Sequence, residues 1–309
     1  MINTKAVIDK MSVVLSNEQL AILEMVLNQE DKEIGSNTEL IEAFVNSKKY
    51  ENCSQKTIKQ YKREIELFCD WFKESVVNVT KRDIENYVCY YKQNHEISDT
   101  TANNIRRFIS AFFAYLENED IIRNNPVKKT KPIKTCKQVK RAYTEVEVEN
   151  MRNGAKNFRD KVIIDTLNST GMRISELTNL NRDDVYNGAA IVKGKGNKER
   201  EVYFSEVAWD ELMKYLESRK DDNPSLFISN RNTRMTKDRT EQIIRNIGKA
   251  SNVKAHPHKF RRTFASRMIN NGCPIQEVQQ LLGHKSIETT MIYCDINKDN
   301  IKYDHKKYC

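Results

Sequence analysis

The sequence predicts a mainly α-helical protein of two domains, the second of which also contains a small β-hairpin. Apolar residues recur at helical spacing in four segments within residues 36–127. Two strand-like runs flank the glycine-rich turn "KGKGNK" farther along the chain. A basic stretch, residues 128–141, lies between these two parts. We therefore expect a helical N-terminal domain, a linker and an α+β domain.

The N-terminal half reads as a small helix bundle. An acidic helical extension, residues 1–35, comes before it. The third segment of the bundle opens with Thr80 and Asp83 at capping-box spacing. The bundle should end near Pro126, which cannot extend a helix. One apolar stripe is predicted on the second segment, formed by Ile58, Tyr61, Ile65, Phe68 and Phe72. Another is predicted on the fourth segment, formed by Ile105, Phe108, Ile109, Phe112 and Leu116.

A capping box of Thr144 and Glu147 opens the second domain, which spans residues 142–309 and includes a C-terminal tail. Helical spacing resumes in "FRDKVIIDTLNST". The runs "AAIVKG" and "EREVYF" lie on either side of the glycine-rich turn and predict a hairpin. Helical patterns return at "SEVAWDELMKYLES" and persist to the end of the chain.

The composition limits the classes of protein to which this chain can belong. Hydrophobic residues make up 39% of the chain and charged residues 31%, as in soluble globular proteins. The apolar runs are too short for a transmembrane helix, and the N-terminus lacks the pattern of a secretion signal. The seven cysteines are odd in number and show no CxxC spacing. We expect reduced thiols and a cytoplasmic protein.

The net charge of +9 points to a polyanionic partner, and the distribution of the charge is more informative than the total. Residues 128–141, "KKTKPIKTCKQVKR", carry seven Lys or Arg and no acid. Such a segment suits contact with phosphates; the alternative is a solvated linker. The candidates for DNA contact are Lys128, Lys129, Lys131, Lys134, Lys137, Lys140 and Arg141, with Arg106 and Arg107 in the fourth helical segment.

The stretch "STGMRISELTNL" contains the first candidate for chemistry. Arg173 and Glu176 lie one helical turn apart and share a face. An arginine in the first turn of a helix adds a fixed cation to free N–H groups, which suits a phosphate. The alternative is a surface ion pair.

The stretch "HPHKFRRTFAS" places His258 and Arg261 at i and i+3, on a helix that should begin after Pro257. The alternatives are a capping histidine and a solvated arginine. Lys195, in the glycine-rich turn, could serve as a mobile proton donor or be a solvated loop lysine. No cysteine or carboxylate pattern accompanies the histidines, which argues against a metal site, and the turn lacks the spacing of a nucleotide-binding loop.

The stretch "LLGHKSIETTMIY" brings His284 and Tyr293 near the C-terminus. A tyrosine hydroxyl has an ordinary pKa of about 10, so it needs nearby cations and a proton acceptor to act as a nucleophile. Two guanidiniums can clamp the non-bridging oxygens of a phosphodiester, and a lysine or histidine can protonate the leaving oxygen. Together the candidate residues form a set suited to phosphoryl transfer.

Four stretches, "TGMRISEL", "GKGNKER", "HPHKFRRTFAS" and "LLGHKSIETTMIY", resemble in sequence and order the tyrosine recombinases, also called phage-type integrases, and look most like the short Xer-like members. The resemblance covers about residues 36–300. It implies a core-type DNA-binding domain followed by the catalytic domain of that family. It also implies these roles: Arg173 and Arg261 as catalytic arginines, Glu176 as support for the first, Lys195 as the proton donor to the leaving 5′-hydroxyl, His258 and His284 as catalytic histidines, and Tyr293 as the nucleophile.

The resemblance implies a site-specific DNA recombinase that works through a 3′-phosphotyrosine, without a cofactor or metal. Its expected partner is double-stranded DNA with paired inverted-repeat half-sites, bound by a tetramer whose free form is a monomer or weak dimer. An accessory directionality factor is a further possible partner. The alternatives are a type IB topoisomerase, which rejoins the original strand, and a non-catalytic DNA-binding regulator on the same fold.

Overall fold

The computed structural model describes residues 4–29, 35–135, 141–194 and 198–293. Contacts between residues divide the chain into two compact units, Met1–Gln138 and Val139–Cys309. Each unit has a buried apolar core of its own. None of the described helices has both the length and the apolarity needed to span a bilayer.

The described part of the N-terminal unit is built from α-helices joined by short connections. The capping box predicted at Thr80 and Asp83 is present: the Thr80 side chain accepts the Asp83 N–H, and the Asp83 carboxylate accepts the Thr80 N–H. The helices are α1 (Thr4–Met11), α2 (Asn17–Gln29), α3 (Asn37–Tyr50), α4 (Gln55–Phe72), α5 (Lys81–His95) and α6 (Asp99–Asn118).

Aromatic side chains dominate the core of this unit. Phe44, Phe68, Phe112 and Phe113 are each 0% exposed. The Phe68 ring meets the Tyr87 ring edge-on, with centroids 5.0 Å apart. Each fully buried side chain of this size stabilises the fold by roughly 1.5–3 kcal/mol. Most members of the stripes predicted on α4 and α6 are buried in this core, so the helical periodicity identified these core positions correctly: Ile58, Ile65, Phe68, Ile105, Ile109, Phe112 and Leu116.

The first residues of the predicted linker pack on the helix bundle. A 3-10 turn follows α6, and within it Val127 is 0% exposed. The Arg106 guanidinium donates to Thr130 Oγ1 at 2.6 Å and to the Thr130 carbonyl at 2.8 Å. Farther on, Asn103 exchanges two hydrogen bonds with the backbone of Ile133. The basic segment is therefore held on the N-terminal unit as far as Ile133.

The second unit combines a helix cluster with a three-stranded antiparallel sheet in the order β1-β2-β3. The predicted hairpin is confirmed as β2 and β3; β1 was missed because two residues are too few to show alternation. The elements are α7 (Glu145–Asn153), α8 (Phe158–Thr170), α9 (Ile174–Asn179), β1 (Val185–Tyr186), β2 (Ala189–Lys193), β3 (Glu199–Tyr203), α10 (Glu206–Ser218), α11 (Lys237–Ala250), α12 (Pro257–Asn270), α13 (Ile275–Leu282) and α14 (Glu288–Met291).

Helix α8 runs through the core of this unit and fixes where the next helix starts. Val162, Ile163 and Leu167 on α8 are each 0% exposed. The helix ends at Gly171, whose φ of +62° suits glycine. A Cβ at Gly171 would lie 2.5 Å from Cδ1 of Phe264, on α12. Glycine thus lets the chain turn sharply against α12 and begin α9 there.

Candidate active site

Arg173 lies at the N-cap position of α9 and not, as expected, within its first turn. Its backbone N–H donates to Glu176 Oε2 at 2.7 Å, and its Nη1 donates to Glu176 Oε1 at 2.8 Å. Glu176 is only 4% exposed. The pair is therefore not the surface ion pair that was the alternative. The buried carboxylate holds both the backbone and the side chain of Arg173.

Glu176 has a second cationic partner, Arg200 on β3. Nη1 and Nη2 of Arg200 donate to the two oxygens of Glu176 at 2.8 and 2.7 Å, a bidentate arrangement. Burial by itself would raise the pKa of Glu176, but the hydrogen bonds from Arg200 and from the Arg173 N–H, with the Arg200 charge, lower it to about 2. Glu176 is thus a carboxylate throughout the neutral range.

Arg200 is the last residue of the motif "GKGNKER", but it was not among the predicted site residues. A signal for it exists in the strand pattern. Side chains alternate across β3, and Arg200 lies two residues before Val202, which is 1% exposed. A charged residue on the inward face of a strand needs a buried partner, and that partner is Glu176.

Arg261 on α12 is 3% exposed. Its Nη1 donates to the carbonyl of Gly171 at 3.0 Å, and its Nη2 donates to the carbonyl of Leu282. Burial, followed by the charges of Arg173 and Arg200, lowers the pKa of Arg261 to about 10. Arg261 is therefore not the solvated arginine of the alternative interpretation. It still carries its charge at neutral pH, and its guanidinium is fixed by backbone carbonyls.

Four basic side chains line a small cavity of about 60 Å³: Arg173, Lys237, His258 and Arg261. None of the described residues that line it is acidic. Lys237, at the start of α11, is a further site residue that the sequence analysis missed, because no motif marks it. A concave space with this charge suits an anion.

His258 belongs to the first turn of α12, which begins at Pro257. The capping histidine here is its neighbour His256, whose Nδ1 accepts the His258 N–H at 3.2 Å. Partial burial, followed by the charges of His256, Arg261, Arg173 and Lys237, lowers the pKa of His258. The imidazole is therefore neutral at pH 7 and can accept a proton.

His284 follows Gly283, the left-handed residue that ends α13. Its Nδ1 lies 2.9 Å from Oγ1 of Thr290, a fully buried residue of α14. Burial, followed by the charges of Arg261, Arg173 and Arg200, lowers the pKa of His284 to about 4. His284 is thus neutral at pH 7, and Thr290 fixes its ring.

Tyr293 lies just beyond α14 and is half-buried. Its ring centroid is 5.9 Å from that of His284. It packs against the small apolar cluster that includes Phe264 and Leu282. Tyr293 is also close enough to interact electrostatically with Arg261. The structure thus brings Tyr293, His284 and Arg261 together.

The remaining predicted site residues are the lysines and arginines expected to donate a proton or to contact DNA. Lys195, Lys137 and Lys140 fall outside the residues that the structure describes. The Lys128 ammonium lies 2.6 Å from Glu117 Oε2. The remaining basic candidates, apart from Arg106, are exposed: Lys129, Lys131, Lys134, Arg141 and Arg107.

Comparison with known families covers both units. Residues 135–300 match the phage integrase family, and residues 40–123 match the N-terminal SAM-like domain of phage integrases. In the solved structures, the chain resembles a lambda integrase dimer bound to a COC′ core site, with a TM-score of 0.75 at 18% identity over 94% of this chain and 84% of that chain. It also resembles the XerH site-specific recombinase bound to its difH substrate, with a TM-score of 0.66 and 20% identity. This match covers 98% of this chain and 94% of that chain.

Two curated relatives are similar along most of their length. A tyrosine recombinase XerC from Leptospira interrogans is 32% identical over 87% of this chain and 92% of that protein. A tyrosine recombinase XerA from Pyrococcus horikoshii is 29% identical over 86% of this chain and 92% of that protein. These matches favour a recombinase over a topoisomerase or a non-catalytic regulator. The chain therefore belongs to the phage integrase family, and it is a Xer-like tyrosine recombinase.

Proposed function

We propose that Tyr293 is the nucleophile with which this recombinase breaks DNA. Its hydroxyl oxygen attacks a phosphodiester, forms a 3′-phosphotyrosine and releases a 5′-hydroxyl. A 5′-hydroxyl from a second duplex then attacks the phosphotyrosine and frees the tyrosine. The observation that carries this proposal is the cavity of four basic side chains, next to the cluster of Arg261, His284 and Tyr293.

The two arginines bind the non-bridging oxygens of the phosphate under attack. Charge on these oxygens grows toward the transition state, so fixed donors act more strongly there than in the ground state. Arg173 is held by Glu176 and Arg261 by two carbonyls, so neither guanidinium must reorganise when the charge develops. Lys237 adds a further positive charge to the same cavity.

The histidines and a lysine handle the protons. His258 and His284 are both neutral at pH 7, so either imidazole can accept the proton of the attacking tyrosine. The ring of His284 lies 5.9 Å from that of Tyr293, measured between centroids, and it suits this role. We assign the protonation of the leaving 5′-oxygen to Lys195, on the resemblance of its motif to that of the family.

One ester bond replaces another in both steps, so the reaction needs no ATP. The cations of the site can neutralise the phosphate charge, so we propose that no metal is needed. We propose double-stranded DNA with paired inverted-repeat half-sites as the partner, bound by a tetramer that is a monomer or weak dimer when free. An accessory directionality factor would set the balance between joining and excision. The free thiols of Cys53, Cys69, Cys89 and Cys273 suit work in the cytoplasm.

The basic segment would contact phosphates outside the cleavage site. Lys129, Lys131, Lys134 and Arg141 are exposed, as phosphate contacts require. Arg106 is better assigned a structural role, because its guanidinium is bound to the 3-10 turn that follows the bundle.

The variant Tyr293→Phe tests the assignment of the nucleophile. On a nicked suicide substrate, the wild-type protein should accumulate a covalent 3′ adduct, and Tyr293→Phe should form none. Binding to a half-site should stay near the wild-type level, because the change removes one hydroxyl only.

Tyr203→Phe is the matched control, since Tyr203 is an exposed tyrosine on β3 that donates to Glu201. It should form the adduct at the wild-type rate. An adduct formed by Tyr293→Phe would show that another residue is the nucleophile.

A further inference from the structure

Arg200 links its own strand to two other segments of the active site. Its side chain is 12% exposed and belongs to β3. Two of its nitrogens hold the carboxylate of Glu176, and its Nε donates to the carbonyl of Leu281 at 2.8 Å. Glu176 supports Arg173, and Leu281 comes three residues before His284. One guanidinium thus joins the strand, the Arg173 support and the segment that leads to His284.

The backbone on either side is shaped to fit Arg200. A Cβ at Gly283 would lie 3.0 Å from Arg200 Cδ, and the φ of Gly283 is +62°. Glycine therefore lets the turn before His284 pass close over the stem of Arg200. A Cβ at Gly194 would lie 3.7 Å from Glu176 Oε1 and 3.8 Å from Arg200 Nη1. The residue directly before Lys195 thus lies against the Glu176–Arg200 pair.

We propose that Arg200 is a positioning residue for DNA cleavage. It keeps Glu176 in place as the acceptor for Arg173, and it holds the end of α13 so that His284 faces the site. Arg200 need not touch the phosphate, because it acts through these two neighbours. The inference rests on the proposed roles of Arg173 and His284.

The charges around Glu176 give this role a signature in the pH dependence. Glu176 is faced by Arg173 at the start of α9, by Arg200 on β3 and by Arg261 on α12. Without Arg200 the carboxylate loses two donors while staying buried, so its pKa rises. Below that new pKa, Glu176 is protonated and holds Arg173 poorly. The loss of cleavage rate caused by removing the Arg200 guanidinium should therefore become larger as the pH falls.

The test uses Arg200→Met, which keeps the stem and removes the guanidinium, and Arg200→Lys, which keeps the charge. Single-turnover cleavage of the nicked substrate is measured at about pH 6 and about pH 8, with DNA saturating. We expect Arg200→Met to cleave about 10²-fold more slowly, the effect typical of a misplaced catalytic group. The loss should be larger at the lower pH. Arg200→Lys should recover part of the rate.

Arg219→Met is the matched control. Arg219 is also a buried arginine, with a side chain 3% exposed, and it is bonded to Asp221 and to the carbonyls of Ser225 and Leu226, away from the site residues. Its loss should lower the thermal stability but leave the pH profile of cleavage unchanged. If Arg200→Met loses rate equally at both pH values and no more than Arg219→Met, Arg200 is merely structural and the proposal fails.

A double-mutant cycle with Glu176→Gln locates the route of the effect. If Arg200 acts through Glu176, Arg200→Met should cost much less in the Glu176→Gln background than in the wild type. Full additivity, or cleavage by Arg200→Met within about 3-fold of wild type, would overturn the proposal. If Arg200→Met does not fold, the same comparison is made with Arg200→Lys. A wild-type protein that forms no adduct would instead refute the proposed function itself.

Discussion

Glu64 in the N-terminal unit and Glu176 in the second unit are both 4% exposed, yet their surroundings act in opposite directions. Glu64 accepts one hydrogen bond, from Gln60, and its Oε2 has no hydrogen-bond partner among the described residues. Burial raises the pKa of Glu64. Glu176 accepts hydrogen bonds from the Arg173 N–H, the Arg173 side chain and twice from Arg200, and its pKa falls to about 2. Burial alone therefore does not set the direction in which the pKa of a carboxyl group shifts, because the donors around it can reverse that direction.

The same contrast holds for the two units more widely. Among the described residues of the N-terminal unit, Glu64 is the one buried Asp, Glu, Lys, Arg or His, whereas the second unit buries Asp160, Asp165, Glu176 and Arg261. Burying a charge costs free energy unless partners compensate for it. The N-terminal unit is stabilised by aromatic packing. The core of the second unit also contains charged groups, of which Arg261 can act on a phosphate and Glu176 holds Arg173.

After the loss of the nucleophile itself, the largest expected effect on cleavage concerns Lys195. If Lys195 is the general acid, Lys195→Ala should slow cleavage of ordinary DNA by about 10²–10⁴-fold. A substrate with sulfur in place of the leaving 5′-oxygen releases a thiolate, which needs no proton, so it should restore most of the rate. The control is Lys193→Ala, because Lys193 is an exposed lysine paired with Glu199. An absence of rescue by sulfur would move the proton donor elsewhere, and His258 would be next.

The arginines should come second in size. Arg173→Lys and Arg261→Lys keep the positive charge but lose the planar fork, so each should slow single-turnover cleavage by about 10²-fold. The exposed Arg245, paired with Glu241, provides the matched Arg245→Lys control, which should not slow cleavage. Rates within a few-fold of wild type for both site variants would show that charge without bidentate geometry suffices.

The smallest effect should come from Glu64, and it should appear in stability only. A folded-state pKa above the unfolded value means that the folded protein binds more protons, so the contribution of Glu64 to stability falls as pH rises through that window. At pH 7, Glu64→Gln should therefore be as stable as wild type, or more stable by about 1 kcal/mol or less. Its unfolding temperature should be the same or slightly higher. Cleavage should not change. A loss of cleavage in Glu64→Gln would contradict the view that the buried charges of the second unit, and not Glu64, serve cleavage.

The sequence predicted the bundle better than it predicted the site. Periodicity within a single helix identified the stripe of Ile65 and Phe68, because neighbours at i+3 and i+4 share a face. The pairing of Arg173 with Glu176 was predictable for the same reason. The contact of Arg261 with Gly171 joins residues ninety positions apart, and that of Arg200 with Glu176 joins two elements. Local patterns do not contain such contacts, so Arg200, Lys237 and Thr290 were missed.

The central claim is that Tyr293 carries the DNA during the reaction. The most direct measurement is to trap the covalent adduct on a nicked substrate, digest the protein and the DNA, and map the modified residue by tandem mass spectrometry. We predict a 3′-phosphonucleotide on Tyr293, in the peptide that follows Lys285 and ends within the C-terminal tail. A nucleotide found instead on Tyr303 or Tyr308, or on a residue of the N-terminal unit, would contradict the assignment.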